Sequence, residues 1–237
     1  MYVNLKRTAF MNDFVKVKKL LIYGMLGAIL TMVGDCMLLG VDSTGAVGAL
    51  GQYIISAGKL SYTRIGFAGF FGFVGIPITA FGFYALYELM ENKSSILAKV
   101  YKASVYGYVA LGGAVHIICC YLVTGIKKAL ETGTTQENML TVILNEQGGY
   151  VIPCLILFMI FYLSNVITLI IIIASRKTIL SGWLWIFNPF IFKILFNLLG
   201  KLGTGAFLNG IACSNMSLGA LLIFIIWIIA LYKLEKS

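Results

Sequence analysis

Residues 151–174, VIPCLILFMIFYLSNVITLIIIIA, run for two dozen positions without a charged side chain. An α-helix rises ~1.5 Å per residue, so about 20 apolar residues cross the ~30 Å hydrocarbon core of a bilayer. Positions 169–174 are apolar without alternation. A barrel strand, the other backbone arrangement that satisfies its own hydrogen bonds in lipid, alternates lipid-facing and lumen-facing residues. The stretch therefore reads as a membrane-spanning helix.

Working outward, five further stretches have comparable length and polarity. The predicted spans lie near 20–40, 61–90, 103–126, 149–175, 179–200 and 204–232, which gives an all-α integral membrane protein, a bundle of six transmembrane helices. The 61–90 and 204–232 stretches exceed the minimum and imply tilt. Composition agrees: 60% of the residues are hydrophobic and 11% charged, against about 45–50% and about 25% in soluble domains. The net charge of +9 would suggest a nucleic-acid partner in a soluble chain. Here the basic residues punctuate apolar runs, a topogenic pattern, so no nucleic acid is expected.

That punctuation sets the orientation. With the N-terminus inside, Lys16, Lys18, Lys19, Lys93, Lys99, Lys102, Arg176, Lys177, Lys233 and Lys236 join Lys6 and Arg7 in the cytoplasm, twelve of the eighteen basic residues. Both termini are thus predicted inside, N-in/C-in. Residues 1–19 interleave Phe10, Met11, Phe14 and Val15 with bases, which fits a cytoplasmic amphipathic segment; 20–237 reads as a single polytopic membrane domain. The first span begins like a secretory signal but lacks a small-x-small cleavage site and carries Asp35, so an uncleaved anchor is expected. Residues 46–57 and 138–145 are mildly apolar and fall outside in this topology, as short interfacial helices or as loops. The expected location is a cell membrane, with a bacterial cytoplasmic membrane as its setting and the lipid bilayer as the main partner.

Helix pairing in lipid leans on small residues that let backbones approach. Gly24, Gly27, Thr31 and Gly34 form one such stripe; Gly66, Gly69, Gly72, Gly75, Thr79 and Gly82 form another. Pro77, Pro153 and Pro189 all fall within predicted spans and free backbone carbonyls there. The side chain of Asn188 is placed to satisfy one of them.

Ionisable groups inside a membrane are expensive and are the first place to look for function. Asp35, Arg64, His116, Lys193 and Asn197, and Asn209 come from five different spans at similar depth in the outer half, with Asn188 beside Pro189. On the third span Ser104, Tyr108, Gly112, His116 and Cys120 recur every four residues, as do Trp185, Pro189, Lys193, Asn197 and Lys201 on the fifth and Gly205, Asn209 and Cys213 on the sixth. Asp35 and Arg64, matched in depth, are expected to pair across the first two spans. The excess of positive groups favours an outward-facing polar cavity that binds or transports a small anionic or amphiphilic ligand, of which a lipid-like molecule is one kind. Asp35, Arg64, His116, Asn188, Lys193, Asn197 and Asn209 are its candidate ligand-binding residues.

Two alternatives stay open. One is a membrane-embedded enzyme in which His116, the single histidine, acts as general base on a lipid or amphiphile, oriented by Asp35. The other is a structural or accessory subunit without a ligand, its polar groups serving only helix pairing, which leaves partner subunits open. No H-E-x-x-H, G-x-S-x-G or C-x-x-C motif occurs, so neither a metal nor any other cofactor is expected. Cys36, Cys119, Cys120, Cys154 and Cys213 all sit in apolar runs and read as small packing residues; their common placement in the outer halves leaves a disulfide open.

Overall fold

The computed structural model describes the backbone of residues 2–46 and 48–236, and the side chains of 14–46, 51–135, 138, 139, 141, 143, 145 and 148–236. Among these, every regular element is helical: α1 (Tyr2–Leu39), α2 (Gly48–Lys59), α3 (Tyr62–Glu88), α4 (Ile96–Glu131), α5 (Gln136–Ala174), α6 (Pro189–Gly200), α7 (Ala206–Cys213) and α8 (Asn215–Lys236), with a 3-10 turn at Gly182–Ile186 before α6. No strand is present among the described residues; Met90 and Thr178 form an isolated bridge.

Five helices are long and apolar enough to cross a membrane: Phe14–Leu39, Tyr62–Glu88, Ile96–Glu131, Gly148–Ala174 and Asn215–Lys236. They match five of the predicted spans. The predicted span 179–200 is not one helix. Its first half is the 3-10 turn, and its second half, α6, has 12 residues and covers only about 18 Å at 1.5 Å per residue. Pro189 sits at the restart: without an amide hydrogen it suits the first helical position, although Pro77 and Pro153 are carried inside α3 and α5. Asn188 caps the restart, its Oδ1 accepting from the amides of Phe190 and Ile191. The predicted span 204–232 is likewise divided, at Ser214, into α7 and α8.

Residues 46–57 largely become helix α2. Residues 138–145 are neither a separate helix nor a loop but the first turns of α5. The N-terminal segment is continuous with the first span in α1. The side chains of Phe10 and Met11, on which its surface character rests, lie outside the described residues, whereas Phe14 and Val17 are buried in the core.

The helices pack in a closed bundle, α5 meeting the 3-10 turn that leads into α6. α1 lies between α3 and α8, α3 also packs on α4, α4 on α5, and α6 on α7 and α8. The tightest pairing is α1 with α3. A Cβ added at Gly27 would sit 2.2 Å from the Thr79 nitrogen, and one at Gly24 would sit 2.4 Å from the Gly82 Cα. Thr31 and Thr79 turn their hydroxyls back to the carbonyls of Gly27 and Gly75 at 3.0 and 2.9 Å, so neither exposes a donor to lipid. Gly82 also leaves room for the Phe224 ring, which meets Phe83 edge-on at 5.1 Å. Trp227, Tyr101, Leu86, Leu169 and Ile172 complete this core.

A smaller cluster closes one end of the bundle, where Ile54 and Ala57 of α2 pack with Leu38, Val41, Ile65, Val123 and Ile126. At the opposite end Lys18 pairs with Glu235 at 2.5 Å, and Glu88 holds Lys16 and Lys93. Residues 178–204 run from this second end, at Met90, to the first, where the Thr204 carbonyl accepts from the Ser43 amide at 3.0 Å. Ile152, Ile156, Ile160, Ile167 and Ile171 leave an apolar face of α5 exposed, the face such a helix presents to lipid.

Gly27→Ala should lower the melting temperature of the detergent-solubilised protein by several degrees, because two backbones must separate; overpacking of this kind costs about 1–3 kcal/mol. Gly66→Ala, whose added methyl meets open space, should leave it unchanged. Equal stability of the two variants would contradict the close approach.

Candidate functional site

The polar residues do not assemble into one cavity. Several serve the backbone. Arg64, one turn into α3, donates from Nε to the Met37 carbonyl at 2.8 Å and from a terminal nitrogen to the carbonyls of Cys36 and Gly40 at 3.4 and 3.3 Å. They lie at the end of α1, where the Cys36 carbonyl already accepts from the Gly40 amide and the others lack a helical donor, and a cation there also complements the helix dipole. The expected Asp35–Arg64 pair is therefore replaced by a helix cap. Asn188, beyond capping α6, donates to the carbonyls of Trp185 and Ile186. Asn209, buried, brings its Nδ2 within 2.6–2.8 Å of the Val41 carbonyl, the Ser43 hydroxyl and the Thr204 carbonyl, tying α7 to the loop after α1. Asn197 is exposed and accepts from Asn215 at 3.1 Å.

Asp35 and His116 do meet. The sequence stripe of α4 faces inward as expected, with Ser104, Tyr108, Gly112, His116 and Cys120 all buried. The imidazole fits because α3 and α1 offer glycine where it lies: a Cβ on Gly72 would fall 2.0 Å from its Cδ2, and one on Gly34 would fall 3.3 Å from its Nε2. His116 Nε2 lies 3.0 Å from the Ala68 carbonyl oxygen, and Nδ1 lies 3.6 Å from Asp35 Oδ1, a contact at ion-pair range. The other carboxyl oxygen accepts from the Ser217 hydroxyl at 2.9 Å.

This geometry fixes a proton count. A carbonyl only accepts, so Nε2 carries a hydrogen. A lone pair on Nδ1 facing an ionised carboxylate would be repulsive where water is excluded, so the pair holds one further proton, on the carboxyl or on the ring. The site is a carboxyl–imidazole pair in ion-pair range, whose two titrations are coupled by their contact. It is poorly arranged for general-base catalysis, because both ring nitrogens are engaged and Ser217 donates to Asp35 and not to His116.

Lys193 stands apart. Its Nζ lies 5.8 Å from the centroid of the Tyr162 ring, and among the described residues no carboxylate lies within ion-pair range of it. On the same face of α5, the Tyr162 hydroxyl and both polar atoms of the Asn165 amide are buried without a hydrogen-bond partner. Each such group costs free energy unless something pairs with it. No cluster of three or more His, Cys, Asp or Glu side chains able to hold a metal occurs among the described residues.

Outside the spans, Tyr53 of α2 reaches over this region and contacts Cys119; burial pushes its phenol well above the ordinary range, so it stays a neutral cover. Sequence reasoning passed over Ser217, although it continues by four the stripe Gly205, Asn209, Cys213. It also passed over Tyr162.

The matched family reaches nearly the whole chain: residues 9–234 match a family of unknown function (DUF6796), to which this protein therefore belongs. Nothing among the curated proteins or the solved structures matches.

In a double-mutant cycle read by melting in detergent, Asp35→Asn and His116→Gln should be non-additive by about 0.5–3 kcal/mol, and Asp35→Asn with Arg64→Gln additive within about 0.5 kcal/mol. The reverse pattern would mean that Asp35 pairs with Arg64.

Proposed function

We propose that this member of the family is a multi-pass membrane protein that binds or transports a small anionic or amphiphilic ligand, with the Asp35–His116 pair carrying a proton linked to that binding. The observation that carries the reading is the contact of these two ionisable groups within the spans. A charge at such depth costs at least about 2.5–3.5 kcal/mol on insertion scales and persists where it is used. The ligand's anion has one obvious cation available. Among the described residues no carboxylate lies within ion-pair range of Lys193; Tyr162 beside it has an unpaired hydroxyl, and Asn165, one turn along α5 from Tyr162, an unpaired amide. An amphiphile carboxylate or phosphate would gain a charge-assisted hydrogen bond there. Its chain would lie against exposed apolar residues of α6, such as Ile194.

The same proposal places both termini in the cytoplasm of a cell membrane, with 178–204 as a sixth, interrupted crossing and 20–237 as one domain. The Lys18–Glu235 pair, which joins the start of the first span to the end of the last, supports an even number of crossings. An interrupted crossing beside a buried ionisable pair is the form that binding sites take in many transporters. A second reading, a structural subunit, is favoured by the engagement of Arg64, Asn188 and Asn209 with backbone groups. It leaves Lys193, Tyr162 and Asn165 without a role.

A reporter active only outside the cytoplasm should work when fused near Gly133 and be silent near Asn92 and at the C-terminus. Activity at the C-terminus would overturn the even count. For the ligand, a fluorescent long-chain fatty acid should bind the wild type at least ~10-fold more tightly than its methyl ester, the value of a charged hydrogen bond of about 1.5–3 kcal/mol. Lys193→Met should abolish that preference. The preference should vary with pH across the neutral range in the wild type and be flat in Asp35→Asn. Equal binding of acid and ester by the wild type would leave the structural reading.

A further inference from the structure

Cys36, near the end of α1, and Cys213, the last residue of α7, share an acceptor. Cys213 Sγ lies 3.2 Å from the Gly210 carbonyl oxygen, and Cys36 Sγ lies 3.5 Å from the same atom. Cys213 also reaches the Asp35 carbonyl at 3.3 Å, and a Cβ added at Gly210 would meet Cys36 Sγ at 3.4 Å, so both thiols lie against this turn of α7. Two sulfurs within 3.5 Å of one carbonyl oxygen are neighbours that can be drawn together into a disulfide bond of ~2.05 Å.

Access is unequal. Cys36 lines a cavity of about 510 Å³ between α1, α7 and α8, together with Met32, Phe207 and Leu218; Cys213 does not line it. The remaining thiols are placed otherwise: Cys119 contacts Tyr53, Cys120 is buried on α4, and Cys154 lies on α5.

We propose that Cys36 and Cys213 are a redox-active dithiol that closes to a disulfide and fastens α7 to the end of α1. The oxidant is a small-molecule or protein disulfide. The Cys36 thiolate attacks one of its sulfurs, forming a mixed disulfide and releasing the first thiol. The Cys213 thiolate then displaces the second. Two electrons pass from the cysteines to the oxidant, and their two protons leave on the released thiols. Closure removes the hydrogen that Cys213 gives to the Asp35 carbonyl and fixes the backbone on both sides of the Ser214 break, from which Ser217 reaches Asp35. The dithiol thus sets how firmly the Asp35–His116 site is held. The bond lies in the half of the bundle read as outward, the disulfide-permissive side, but its formation does not depend on the ligand reading.

The test uses the full-length protein in detergent micelles. It is treated with oxidised glutathione, denatured, alkylated with a maleimide and weighed intact. Wild type should carry five adducts before oxidation and three after, with Cys36 and Cys213 joined in one cross-linked peptide pair. Cys36→Ser and Cys213→Ser, checked for helix content by circular dichroism, should each keep four adducts throughout apart from reductant-sensitive glutathione on the remaining thiol. The oxidised wild type should melt several degrees higher and return on reduction. Five adducts after oxidation, or a cross-link joining any other pair, would overturn the proposal.

Discussion

Between Gly24 and Gly82, and again between Gly27 and Thr79, two membrane helices meet backbone to backbone. In lipid there is little hydrophobic gain from burying one apolar side chain against another, so close backbone approach and internal hydrogen bonds must hold helices together. The α1–α3 contact does more than hold. Because the same stripe continues to Gly34 and Gly72, it opens at the level of Asp35 just enough to admit an imidazole from α4. A bulkier residue at Gly72 would leave no room for His116 beside Asp35, and one at Gly34 would push α1 off the α3 backbone.

The second constraint is that backbone groups at membrane depth need partners. Where the chain breaks, before α6 and between α7 and α8, polar side chains supply them. Asn188 serves both sides of its break, donating to carbonyls behind it and accepting from amides ahead. Arg64 donates to carbonyls at the end of α1, and Asn209 donates to the Thr204 carbonyl in the turn that precedes α7. Three residues that look like ligand-binding candidates in one dimension are thus committed to irregular backbone in three. That division of labour leaves Asp35, His116 and Lys193 as the ionisable groups whose placement no backbone requirement explains.

The chain by itself determined that it lives in lipid and where most of its helices lie, because twenty or more apolar residues in a row admit few other solutions. It also determined that Ser104, Tyr108, Gly112, His116 and Cys120 share a face, since a stripe repeating every four residues stays on one side of an uninterrupted helix. The same logic failed for Trp185, Pro189, Lys193, Asn197 and Lys201. Trp185 lies before the break at Asn188 and Pro189 and so off the helix; Pro189, Lys193 and Asn197 do share α6, but that helix is only 12 residues long and its far end, with Asn197 and Lys201, is exposed. Periodicity is informative only where the helix is continuous.

Partner choice was decided by tertiary structure alone. Asp35 and Arg64 stand at matching depth on adjacent helices, and charge alone would pair them. Which atoms meet depends on helix rotation, set by the glycine contacts, and on the unpaired carbonyls at the end of α1, which compete for the guanidinium and win it. Ser217 and Cys213 come to Asp35 from the far end of the sequence for the same reason: α8 docks on α1 antiparallel, in a register fixed by side-chain packing around Phe224 and Trp227. Local sequence specifies which segments are helices and which face of each is polar; it does not carry the relative rotation and register of helices, and those settled which polar groups became caps and which became a site.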